Sequence, residues 1–145
     1  MRFSWMRAGL AFVVLSAACS AGPTERDIND SLEATLSSVT GDWIGTSTGQ
    51  NAIVLEFRLQ EGSNGQVSGT GTMKEAGAPS TVPIAITGTF QRPSLSLTFN
   101  GMVYETKSVQ GASQGEYTTV GGISTTMQLT GSGYSKALPI LLQEK

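Results

Sequence analysis

Along most of the chain the apolar residues recur at every second position, the period of a strand with one buried face. The clearest stretch is Ala52–Glu61, where Ile53, Leu55, Phe57 and Leu59 share one face and Glu56, Arg58 and Gln60 the other. Gly62-Ser63-Asn64-Gly65 ends it with turn chemistry. Gln66–Lys74 follows in the same phase, with Val67, Gly69, Gly71 and Met73 inward and Ser68, Thr70 and Thr72 outward. Glycines paired on one face permit tight curvature or close backbone approach. Val82–Phe90 turns Val82, Ile84, Ile86 and Phe90 inward, and Gln91-Arg92-Pro93 leads into Ser94–Phe99 with Leu95, Leu97 and Phe99 inward. Asn100-Gly101 has the composition of a type I′ hairpin turn, so a turn is predicted there. A sixth strand is then expected over Met102–Gln110, a Gly-rich loop over Gly111–Gly122 with Tyr117 as a lid or partner contact, and further strands over Ile123–Thr130 and Leu138–Gln143. With Trp43–Thr48 as the first, eight strands joined by short turns each carry one apolar face. The expectation is an all-β fold, a single antiparallel meander closed into a small barrel, with a two-sheet sandwich as the alternative.

The first forty residues break this period. Arg2 and Arg7 make a positive segment ahead of the apolar run Ala8–Leu15, and Ser16-Ala17-Ala18 supplies small residues, which together describe a signal peptide over residues 1–18. Leu15-Ser16-Ala17-Ala18-Cys19 resembles the lipobox of bacterial lipoproteins, although Leu15 stands one place earlier than in the commonest pattern. The resemblance implies cleavage between Ala18 and Cys19, diacylglycerol on the Cys19 thiol, and an acylated new amino terminus. The membrane would then be a partner through lipidated Cys19, and several acyl chains anchor stably at about 0.8 kcal/mol per buried methylene. Ser20, where an Asp would retain a lipoprotein at the inner membrane, implies the outer membrane, with the domain facing the periplasm or the cell surface. Residues 19–40 read as a tether. Within it Ile28, Leu32 and Leu36 recur every fourth position behind Thr24, which predicts an amphipathic helix over 25–38, an extended linker being the alternative. The barrel domain is then 41–145.

Composition narrows the chemistry. Charged residues make up 14% of the 145 positions, while 17 Ser and 17 Thr supply most of the polar surface. The net charge is −2, and the basic residues are scattered singly, so no nucleic-acid partner is expected. There is no His and one Cys, which removes His-based acid/base catalysis, Ser-His-Asp and Cys-His arrangements and nearly every zinc site. No metal, no cofactor and no enzymatic activity are expected. Glu56, Glu105 and Glu116 do not converge in this reading. Around Glu105 the phase is ambiguous: the favoured assignment sends Met102 and Tyr104 into the core and leaves Glu105 and Lys107 solvated, while the opposite one would make them polar anchors in a cavity.

Gly41-Asp42-Trp43, at the entry to the first strand, resembles the G-x-W signature of the lipocalin and avidin-like barrels, the calycins. The resemblance implies that Trp43 packs across the closed end of the barrel and that the interior takes a small apolar ligand. No Arg near the end of the last strand stands ready to stack on Trp43, unlike typical lipocalins. The residues that would line such a cavity are Trp43, Leu55, Phe57, Ile84, Phe99, Tyr104 and Met127. An interior of that character could take only an apolar ligand. Two readings stay open at this point: an envelope carrier of a small apolar ligand, and a structural or interaction domain with a solid core that docks to an envelope protein.

Overall fold

The computed structural model describes residues 38–117 and 122–145. The signal peptide, Cys19 and all of the predicted helix over 25–38 except its last residue lie outside the described residues. Eight antiparallel strands follow in order: β1 (Gly41–Ser47), β2 (Ile53–Glu61), β3 (Gln66–Glu75), β4 (Val82–Gln91), β5 (Ser94–Tyr104), β6 (Lys107–Glu116), β7 (Gly122–Gly131) and β8 (Tyr134–Glu144). Each pairs with the next, and β8 returns to β1 over a ladder from Trp43↔Glu144 to Ser47↔Ile140. The sheet is therefore a closed barrel. Closure follows from the pattern, because a meander with one apolar face per strand buries all of those faces by rolling up, and rolling up also pairs its two edges.

The interior holds a single apolar cluster, to which β2 gives all four of its alternating residues, Ile53, Leu55, Phe57 and Leu59. The outer wall is built of hydroxyls and amides, such as Ser68, Thr70 and Thr72 on β3 and Ser124, Thr126, Gln128 and Thr130 on β7. A barrel spanning lipid has the opposite polarity, with an apolar band outside.

Three expectations are corrected. Asn100-Gly101 is not a hairpin turn: β5 runs through it to Tyr104, and the register with β6 shifts between Phe99↔Gly111 and Met102↔Val109. It is a β-bulge, with Gly101 at φ +81. A bulge and a type I′ turn both call for a left-handed residue, so the same dipeptide serves either. The extra residue also resets the alternation, which is why Met102 and Tyr104 fall inside along with Phe99. The true turn is Glu105-Thr106, with φ of +48 and +63. Glu and Thr seldom adopt that conformation, so no composition rule announces it. Finally, the Gly-rich stretch from Gly111 to Glu116 is strand, not loop. Its inward positions are Gly111, Ser113 and Gly115, and large neighbours fill the space beside the two glycines.

Candidate functional site

The seven residues expected to line a cavity all point into the core, and none is more than 5% exposed. They pack against one another and their neighbours: the rings of Phe57 and Phe99 meet edge to face at 5.6 Å. The inward glycines show how full the interior is. A methyl group on Gly111 would sit 2.7 Å from the Met102 sulfur and 2.9 Å from that of Met127. One on Gly115 would meet the Ile123 side chain, whereas one on Gly88 or Gly71 would first run into the neighbouring strand, at the Ser96 carbonyl or at the Glu56 carbonyl and Phe57 Cβ. At each of these positions the room left by the missing side chain is already occupied.

The end of the barrel where β1 begins is closed by aromatic rings. Trp43 is fully buried there, its indole Nε1 donating to the Val39 carbonyl at 3.0 Å. Tyr117 packs on Trp43 at 5.5 Å and on Phe90 at 5.9 Å, and its hydroxyl donates to Glu144 at 2.9 Å. Burial and the Glu144 carboxylate both raise the Tyr117 pKa. Tyr117 is thus part of the floor, 5% exposed, and not the lid or partner contact expected from sequence. Arg92, in the β4–β5 turn, lies over Phe90 at 4.6 Å and bridges to Glu61 at 2.8 Å. Glu61 also accepts from the Ser38 hydroxyl at 2.8 Å and from the Val39 N–H at 3.3 Å, tying the chain entering the barrel to β2. Its burial opposes ionisation, but the hydrogen bonds from Ser38, Arg92 and Val39 outweigh that and hold its pKa below the usual value.

At the opposite end, Glu105 gathers a second polar cluster at the barrel rim. Lys136 Nζ donates to its carboxylate at 2.8 Å, Tyr134 at 3.0 Å and Asn51 at 3.1 Å, while Lys136 also donates to the Tyr104 hydroxyl at 3.0 Å. The Glu75 carboxylate takes the Glu105 backbone N–H at 3.0 Å, clamping the left-handed turn. Hydrogen bonds from Lys136, then Asn51 and Tyr134, lower the Glu105 pKa to about 2. Its carboxylate and the Tyr104 hydroxyl in turn raise that of Lys136. Glu105 is therefore a networked, half-buried group and not the solvated strand residue expected, whereas Lys107 is exposed, with its ammonium 4.5 Å from the centre of the Tyr134 ring. Sequence reasoning missed Tyr134 and Lys136 because it began the last strand at Leu138; both continue the phase of Leu138, Ile140 and Leu142 toward the rim.

The cluster's charges are internally paired, which makes it a structural clamp on the β5–β6 turn. Stability linked to Glu105 is present above pH 4.5, its ordinary value, and is lost as pH falls toward about 2. The melting temperature should accordingly drop through that window in the parent protein, and Glu105→Gln should drop less. Equal slopes in the two proteins would show that the clamp does not operate.

The remaining carboxylates lie apart. Glu56 pairs with Lys145 on the outer wall at 2.9 Å, and Glu116 ends β6 on the side of the floor. Among the described residues no group of three or more acidic or thiol side chains converges in a metal-binding arrangement. No protein-family model matches the chain, and neither a curated protein nor a solved structure matches it.

Proposed function

We propose that the protein is a non-catalytic, lipid-anchored protein of the cell envelope whose calycin-like barrel is a rigid, solid-cored scaffold working through its outer wall. The observation that carries this reading is the packing of the inward face: none of the seven residues expected to line a cavity is more than 5% exposed, and at Gly111 and Gly115 the sulfurs of Met102 and Met127 and the Ile123 side chain already stand where a methyl group would sit. An apolar ligand would gain about 25 cal/mol for each Å² it removes from water. It would first have to displace large core side chains, whose contacts are worth about 2–5 kcal/mol apiece. That balance disfavours the carrier reading. The anchor rests on Leu15-Ser16-Ala17-Ala18-Cys19 behind a basic, apolar leader, and Ser20 favours the outer membrane.

Two measurements test the proposal. Cys19→Ser should move the protein from the membrane fraction to the soluble fraction; parent and mutant partitioning alike, with no acyl mass on the parent, would overturn the anchor. Native mass spectrometry of the gently purified chain should show the acylated polypeptide alone. A co-purifying apolar molecule of defined mass would restore the carrier reading.

A further inference from the structure

Two of the four asparagines in the chain, Asn64 and Asn100, are followed by glycine. With no side chain to shield it, the backbone nitrogen of such a glycine is able to attack the carboxamide of the asparagine before it. The N–Cγ bond forms, the Cγ–Nδ2 bond breaks and ammonia leaves, which is one source of the thermal lability of asparagine. A solvent water then opens the five-membered succinimide to aspartate, or to isoaspartate, whose backbone runs through the former side-chain carbons. No oxidant and no enzyme is needed. Ring closure does require the glycine nitrogen to swing onto the Cβ side of the asparagine, a rotation about the Cα–C bond that packed structure resists. The two sites therefore differ in how much must open first.

Asn64 is exposed in the single 3₁₀ turn Ser63–Gly65 between β2 and β3, at φ 62 and ψ 25. No side chain caps that turn, and the Asn64 amide has no hydrogen-bond partner among the described residues. It lies outside the β2–β3 ladder, whose last pair is Glu61↔Val67, so the turn loosens with the ladder in place. Asn100 is held far more firmly. It is half-buried within β5, paired with Ala85 of β4, and its side-chain oxygen accepts from Gln110 Nε2 of β6 at 2.6 Å. A methyl group on Gly101 would lie 3.2 Å from the Pro83 carbonyl, so the attacking nitrogen too belongs to a packed residue. The bulge must come apart before this ring closes. Local opening is cheapest in exposed turns and approaches the cost of global unfolding in core strands. We infer that Asn64 is a site of spontaneous succinimide formation, where the chain acquires aspartate or isoaspartate, and that the fold shields Asn100 from the same reaction. Each event adds one negative charge to the β2–β3 turn. An isoaspartate also lengthens the backbone just ahead of Gly65, which lies so close to the Phe90 carbonyl that not even a methyl group would fit between them. The altered turn must then shift against the end of β4.

The test is to hold the folded full-length chain in mildly alkaline buffer, sample it over time, and digest each sample with trypsin for mass spectrometry. Cleavage after Arg58, Lys74 and Lys107, but not before Pro93, places Asn64 in peptide 59–74 and Asn100 in peptide 75–107. Conversion of NH2 to OH makes a peptide about 1 Da heavier, and fragmentation separates Asn64 from Gln60 and Gln66. In the folded protein Asn64 should convert about tenfold or more faster than Asn100, and in urea the two rates should converge, because the same dipeptide then stands in an open chain. Asn64→Gln should abolish the early mass gain in peptide 59–74 and leave peptide 75–107 as before. Equal rates in the folded protein, earlier conversion of Asn100, or a ratio that persists undiminished in urea would each overturn the inference. So would an Asn64 that stays intact in the folded chain for as long as urea takes to convert it.

Discussion

Gly71→Ala is expected to destabilise the barrel by about 3 kcal/mol or more, at the upper end of what overpacking costs. The new methyl group would run into the Glu56 carbonyl and the Phe57 Cβ, and would lie 2.6 Å from the Phe57 Cα. Two of those three atoms are backbone, and β2 and β3 are laced through the pair Phe57↔Gly71, so neither strand can yield without breaking its ladder. Phe57 is held in turn by the edge of Phe99. Gly62→Ala is the control: only the Gln66 carbonyl lies within reach of its methyl, at 3.7 Å, and φ is −99. That change should stay within about 0.5 kcal/mol, the usual range for a substitution away from special features. Chemical denaturation of both variants decides the matter; similar losses would mean that the close approach at Gly71 is not what shapes the sheet.

Trp43→Ala should be comparably costly, about 3–5 kcal/mol, as for other large aromatic truncations in cores. The indole is 0% exposed, packs on Tyr117 and satisfies the Val39 carbonyl, so its loss opens the floor and leaves a buried acceptor without its donor. Trp43→Phe separates the two contributions, because it keeps most of the ring contact and loses only the hydrogen bond. Its cost should be nearer 1–2 kcal/mol. A small loss in the alanine variant would show that the ring stack of Tyr117 and Phe90 closes the barrel without the indole.

These residues also show what a linear reading could reach. The alternation in β2, β4 and the start of β5 is local and strong, so the barrel, its inward set and the place of Trp43 were legible. The misplaced β5–β6 hairpin was not, because the property that identifies Asn100-Gly101, tolerance of positive φ, serves a bulge as well as a turn. What separates them is the cross-strand register, Phe99↔Gly111 followed by Met102↔Val109, which no property of the dipeptide itself reveals. Gly111, Ser113 and Gly115 read as loop since small residues lack a hydrophobic signal, yet at the two glycines Met102, Met127 and Ile123 occupy the space beside the strand. The Glu105 clamp joins residues 51, 105, 134 and 136, and only the closed ring of strands brings those together.

The seam between β1 and β8 has a kinetic consequence. It joins Trp43 to Glu144 and Ser47 to Ile140, so the contacts that finish the ring are nearly as far apart in sequence as the domain allows. Non-local pairing of this kind slows folding. A nascent chain can build β1 to β7 as an open, curling sheet, but it presents bare edges until the eleven residues of β8 arrive. Completion thus waits for β8, and until it pairs with β1 the sheet stays exposed to edge-to-edge association.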